Sequence, residues 1–151
     1  GRRLRQGAAP LIVYADTSAL VKLVLLEPGS ADMTDLEARA TVLVSAGIAY
    51  VELRSALAAA YRDRRLSPPE FAAAKNQVER VWAATSRLGV DATLIQRAGD
   101  LAEEDELRGY DAVHLAALIR LGPPEVVDSF ACWDQDLRTA AGNRGYRLFP
   151  S

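Results

Sequence analysis

The sequence predicts an α/β fold, a three-layer α/β/α sandwich in which a central, mainly parallel sheet is covered by helices, built as a single domain. Two observations carry that expectation. Short apolar runs such as "LIVYA" and "TVLVSA" alternate with longer stretches of helical spacing, and strand-helix alternation implies parallel strands joined by right-handed crossovers. The chain has 151 residues, 50% of them hydrophobic and 25% charged. That is one-domain size, and such a domain buries roughly 68–70% of its unfolded surface without needing a disulfide or metal staple.

The elements follow in order. The basic segment "GRRLRQG" lacks apolar periodicity, so residues 1–9 are expected to be a flexible arm or an expression remnant, and 10–151 the folded domain. Leu11 to Tyr14 reads as a buried strand that gives way to a helix at Asp16. "TSALVKLVLLE" has helical spacing and stops at Pro28-Gly29, and a short helix follows through Arg39. "TVLVSA" is the next strand, and the alanine-rich "GIAYVELRSALAAAYRDRR" after it is helical. Ser67-Pro68-Pro69-Glu70 matches a capping box with proline at the first helical position, starting a helix to about Arg87. Helices from about Thr93 to Leu107 and from Tyr110 to Leu121 precede the turn Gly122-Pro123-Pro124. "VVDSFACW" reads as a strand, "DQDLRTAA" as a short helix and "YRLFP" as a terminal strand.

Composition narrows the function classes. A formal net charge of −2 argues against holding nucleic acid by overall positive charge, though a local basic patch is compatible with it. The "RDRR" run, Arg62 to Arg65, is most simply a favourable helix C-terminus with a solvated face. The single Cys132 cannot form an intramolecular disulfide and is expected to be a small core residue. With no signal-type or membrane-length apolar run, a cytoplasmic protein without a membrane partner is expected.

Four carboxylates stand out. In a parallel sheet every strand's carboxyl end opens on one edge, so residues that follow different strands converge there. Asp16 and Asp134 each follow an apolar strand and open a helix, where a cap alone would also explain them. Glu52 falls inside the apolar arc of its helix, flanked by Ile48, Ala49, Ala56 and Ala59, with Arg54, Arg62 and Arg65 on the opposite side. A carboxylate facing the core needs a partner. Asp111 sits in the first turn of "YDAVHLAALIRL", a helix apolar nearly all round, and its plain reading is an acid favoured by the helix dipole. His114, on the same face, reads as a hydrogen-bonded core histidine.

If the four acids converge, each pair at about 4 Å repels by about 4 kcal/mol at an effective dielectric of 20. A divalent cation removes that conflict. An all-oxygen site suits Mg²⁺ or Mn²⁺ better than Zn²⁺, and such sites polarise phosphoryl oxygens and activate water.

The ordered set "YADTSALVKL", "YVELRSAL", "GYDAVHLAA" and "CWDQDLRTAA" resembles the PIN-domain ribonucleases, in particular the VapC-type toxins of bacterial toxin–antitoxin pairs, from about Leu11 to Phe149. The resemblance implies a PIN-like fold and carries the acidic quartet over to Asp16, Glu52, Asp111 and Asp134, with Thr17 or Ser18 as a hydroxyl near the metal. In that family the last acid commonly follows a Thr-Ala-type pair, whereas Cys132-Trp133 precedes Asp134 here, so a hydroxyl is missing and Asp136 is a rival for the fourth position. The resemblance further implies an RNA substrate, a Mg²⁺ or Mn²⁺ cofactor, a cognate antitoxin whose disordered segment folds into a groove near the acids, and a homodimer. For contacts with such partners Trp82 and Tyr61 are candidates, with core packing the simpler role of each.

The expected function is therefore that of a metal-dependent endoribonuclease toxin. Two rivals stand beside it: a metal-dependent phosphohydrolase acting on other phosphates, and an inactive PIN-like module that binds RNA or protein. Asp16-Thr17-Ser18 lacks the second Asp of a haloacid-dehalogenase-type nucleophile motif, which weighs against that form of phosphohydrolase.

Overall fold

A computed structural model describes residues 9–151, so the arm expected over residues 1–9 lies outside the described residues apart from its last position. Five strands form one sheet: β1 (Ile12–Ala15), β2 (Val42–Ala46), β3 (Ser86–Leu88), β4 (Ser129–Ala131) and β5 (Leu148–Phe149). Their order across the sheet is β3-β2-β1-β4-β5, and every pairing is parallel.

Side-chain alternation along the strands builds two cores. Tyr14, Val44, Ala46 and Phe130 point to one face, and Val13, Ala15, Leu43 and Ala131 to the other. On the first face lie α5 (Ala92–Glu104), α6 (Gly109–Leu121) and α7 (Gln135–Asn143). The second is covered by α1 (Thr17–Val21), α2 (Ser30–Arg39), α3 (Ala49–Arg62) and α4 (Pro68–Ala84). This is the three-layer sandwich that strand-helix alternation predicts. Burial of the central strands on both faces explains their continuous apolar runs.

Two elements differ from the sequence expectation. The helix expected from Thr17 to Glu27 ends at Val21, after which Leu23 and Val24 make tight i→i−3 bonds to Leu20 and Val21. The turn leaves Leu26 exposed while Leu23, Val24 and Leu25 pack against the core, a division a continuing helix could not make. The helix expected to reach Arg87 ends at Ala84, and Ser86–Leu88 instead pairs with β2 as an edge strand. Its first two residues are exposed, so no apolar run announces it. The predicted capping box is present: Ser67 Oγ accepts from the Glu70 amide, and Glu70 accepts from the Ser67 amide.

The sheet order fixes where a site can form. From β1 the chain runs to β2 and β3 on one side and later crosses to β4 and β5 on the other, so the carboxyl ends of β1 and β4 flank a topological switch point. Asp16 and Asp134 follow these two strands. Trp133 closes this edge against Gly29, whose positive φ of 94° and contact with the indole leave no room for a Cβ.

Candidate metal centre

Asp16 is the N-cap of α1 and only 3% exposed. Its Oδ1 accepts from the Ala19 amide (3.0 Å) and from Ser18 Oγ (2.6 Å), and its Oδ2 accepts from the Cys132 thiol (3.1 Å). Burial raises its carboxyl above the usual range, with His114 and these donors opposing. A carboxylate offers about four lone-pair positions, so one direction on Oδ2 stays open beyond the cap. Ser18 also accepts from the Trp133 amide (2.8 Å), tying α1 to the turn between β4 and α7. Cys132, expected only as a core side chain, is buried and also a donor to Asp16. Burial first, then the Asp16 charge, push its thiol far up, so it acts as a proton donor and not as a thiolate.

Glu52 lies in the first turn of α3, half-buried, with Ala49 buried beside it and Arg54, Arg62 and Arg65 exposed, as the helical wheel predicts. Two donors meet on its Oε1: Thr17 Oγ1 at 2.6 Å and His114 Nε2 at 2.8 Å. Oε2 has no partner among the described residues. Burial alone would raise the Glu52 carboxyl, yet the His114 hydrogen bond and the Thr17 hydroxyl outweigh it and hold the group below the usual glutamate range. His114 is the hydrogen-bonded core histidine the sequence suggests, at 2% exposure, and the structure supplies its partners: Glu52 and Thr17 on Nε2, and the Tyr14 hydroxyl on Nδ1 at 2.8 Å.

Asp111, in the first turn of α6, and Asp134, the N-cap of α7, share one cation. Arg108 Nε is 3.5 Å from Asp111 and its Nη2 is 3.2 Å from Asp134. Asp134 also accepts from the Leu137 amide at 3.0 Å. Burial first, then the charges of Asp134 and Asp16, raise the Asp111 carboxyl, while Arg108 and His114 oppose. Asp111 thus senses both Asp134 and Asp16 across the switch point. Asp136, the rival for the fourth position, is exposed in the first turn of α7. Sequence reasoning missed Arg108, whose signal is a cation at the N-cap of α6, where the helix dipole disfavours positive charge unless acids are near.

Among the described residues, no three Asp, Glu, His or Cys side chains stand as a ready metal-binding group. Arg108 spans two of the acids, and His114 and Thr17 hold the third. The donor chemistry nevertheless fits a hard divalent cation: every candidate ligand is a carboxylate oxygen, and Arg108 is largely exposed and free to leave. Beside the acids, Thr17, Glu52, Ile48, Val51, Ala56 and Tyr110 line an open groove of about 410 Å³. A larger groove of about 650 Å³, near Leu26 and Leu66, touches none of the four acids.

The crowding of Asp111 has a measurable sign. Because its folded-state pKa is raised, ionised Asp111 costs stability above that pKa; the cost fades as pH falls through it and is gone below the unfolded value. Asp111→Asn in EDTA is therefore expected to melt slightly above wild type near neutral pH, the gap closing on acidification. Melting curves of both proteins across pH check this, and a wild type that is the more stable at neutral pH contradicts it.

Residues 13–128 match the family model described as PIN domain, a span that contains Asp16, Glu52 and Asp111 and ends before Asp134. Over 140 residues the chain is 43% identical to Ribonuclease VapC45 and to Ribonuclease VapC49 of Mycobacterium tuberculosis, covering 93% of this chain and 96% of each relative. Identity to Ribonuclease VapC35 of the same species is 30% over 132 residues, covering 86% of this chain and 90% of that protein. Two crystal structures share the fold at lower identity. PAE2754 from Pyrobaculum aerophilum superposes with a TM-score of 0.64 at 19% identity, covering 94% of this chain and 93% of that one. Mycobacterium tuberculosis VapC20, described as a sarcin-ricin loop cleaving toxin, gives 0.63 at 20% identity, covering 85% and 94%. A family match over most of the chain and 43% identity over nearly all of it lead to one conclusion: the chain belongs to the PIN-domain family and, within it, to the VapC ribonucleases.

Proposed function

We propose that this chain is a Mg²⁺- or Mn²⁺-dependent endoribonuclease and the toxin of a toxin–antitoxin pair. The observation that supports it best is that Cys132 joins Asp16 to the Asp134 turn and Arg108 joins Asp134 to Asp111 at the switch point between β1 and β4, in a relative of proteins named ribonucleases. Asp16, Glu52, Asp111 and Asp134 would hold the metal, Asp134 being preferred to the exposed Asp136 because it shares Arg108 with Asp111. A cation held there would supply positive charge for the phosphoryl oxygens and would lower the pKa of a nearby water. The protein's own part is orientation: Ser18, the Ala19 amide and Cys132 aim Asp16, and Thr17 and His114 aim Glu52. Once it leaves Asp111 and Asp134, Arg108 is placed to meet a substrate phosphate.

The groove beside Glu52, with exposed Val51 and Tyr110 on its wall, supports a protein partner near the acids, either the antitoxin segment or a second copy of the chain. Of the two aromatic candidates, Trp82 is buried in the core, while Tyr61 stacks on Phe71 and stays partly exposed. No helix among the described residues is long and apolar enough to cross a membrane.

Cleavage-site mapping on total cellular RNA, wild type against Asp16→Asn, tests the proposal. Discrete cuts made by the wild type alone support it. Hydrolysis of single-stranded DNA or a phosphomonoester with RNA left intact favours the phosphohydrolase, and no cleavage with any divalent cation favours the binding module.

A further inference from the structure

We propose that Tyr14 and His114 form a positioning pair for Glu52: the Glu52 carboxylate, an acceptor only, selects the tautomer with the proton on Nε2, that N–H fixes one carboxylate oxygen, and the Tyr14 hydroxyl donates to the bare Nδ1 and holds the ring in place. The inference rests on the reading of Glu52 as a working acid.

The chain of contacts joins three elements. Tyr14 lies on the central strand β1, His114 on α6 and Glu52 on α3, and the links are 2.8 Å from Tyr14 Oη to Nδ1 and 2.8 Å from Nε2 to Oε1. Tyr14 is 0% exposed and His114 2% exposed, so water does not replace the link between them. A neutral imidazole has one donor and one acceptor nitrogen, and the hydrogen bond at one determines the role of the other. With Nε2–H facing the carboxylate, Nδ1 is left bare to accept from the phenol. The reverse tautomer would set a bare Nε2 lone pair against the lone pairs of Oε1 at 2.8 Å, a repulsive contact for a buried imidazole.

Packing holds the imidazole in place for this. Tyr14 meets the His114 ring edge-on at 6.0 Å between centroids and is itself packed against Phe130 at 5.7 Å. Thr17 Oγ1 also donates to Oε1 and lies 3.1 Å from Nε2, so the two donors converge on one oxygen of Glu52 and leave Oε2 for the site. A phenylalanine would fill the strand position equally well. The hydroxyl, fully buried and costly there unless bonded, bonds His114, with Ser45 and the Ala46 backbone also beside it. His114 touches no reacting group in this scheme and acts through Glu52.

The chain has a single histidine, so ¹⁵N spectra of the untagged protein report one imidazole. The expected result is a protonated Nε2 and a bare, hydrogen-bonded Nδ1 in wild type, and in Tyr14→Phe the same tautomer with the Nδ1 resonance moved to that of a nitrogen without a hydrogen bond. Partners at this remove from a metal are worth about 10- to 100-fold. Tyr14→Phe should therefore lower kcat on an RNA substrate about 10-fold with KM nearly unchanged. His114→Leu should lower it about 100-fold, with partial rescue in His114→Gln, which keeps an N–H able to reach Glu52. If His114→Leu fails to fold, the spectra and Tyr14→Phe still decide. A wild type protonated on Nδ1, or an Nδ1 resonance unchanged by Tyr14→Phe, overturns the pair. Glu52→Gln separates the two layers: wild-type cleavage by that variant removes Glu52 from the working acids, whereas a dead Glu52→Gln beside a fully active Tyr14→Phe removes only the positioning role.

Discussion

Asp16→Asn is expected to lower the cleavage rate about a thousandfold or more while shifting stability by no more than about 1 kcal/mol. At 1.36 kcal/mol per decade the rate loss corresponds to about 4 kcal/mol of transition-state stabilisation. The two effects separate because Asp16 does two jobs. As the N-cap of α1 it needs an acceptor for the Ala19 amide, and an asparagine oxygen supplies one. As a metal ligand it needs negative charge, which Asn lacks. Asp16→Ala should lose both, costing about 1 kcal/mol for the cap and leaving the Ser18 hydroxyl and Cys132 thiol without their acceptor. Melting temperature and cleavage rate measured on one preparation decide the matter. Full activity in Asp16→Asn would reduce Asp16 to a cap and remove the proposed mechanism.

Removing divalent cations is expected to abolish cleavage, and Mg²⁺ or Mn²⁺ to restore it. The same cations should raise the melting temperature of wild type, since a ligand at 100 times its Kd stabilises the folded state by about 2.7 kcal/mol. The shift should shrink in Asp111→Asn and Glu52→Gln. Asp134→Asn should be milder, because Asp134 also spends one oxygen capping α7. Binding has to displace Arg108 from Asp111 and Asp134, an exposed ion pair of the kind worth about 0–1 kcal/mol and so a small obstacle. Cleavage that persists in EDTA, with no cation-dependent shift in melting, contradicts the metal centre.

Much of the architecture was already legible in the residues. The apolar runs at β1, β2 and β4 specify strands buried on both faces, and capping signals such as Ser67-Pro68-Pro69-Glu70 place helix starts, because both depend on neighbours a few residues apart. The edge strand β3 and the early end of α1 escaped that reading. Ser86–Leu88 is a strand because β2 lies beside it, and α1 stops because its apolar residues must reach the core by another path.

For the site the division is sharper. The sequence by itself determined which acids could serve and that Glu52 faces inward, because helical spacing assigns faces without knowledge of the fold. It determined the family too, through four motifs in order. Only the tertiary structure decided what each acid meets: Cys132 on Asp16, His114 backed by Tyr14 on Glu52, and Arg108 between Asp111 and Asp134. Most of these partners are separated from their acids by 26 to 116 positions along the chain. Distances of that kind are set by the order of strands in the sheet and the crossover from β3 to β4, and no local periodicity records them.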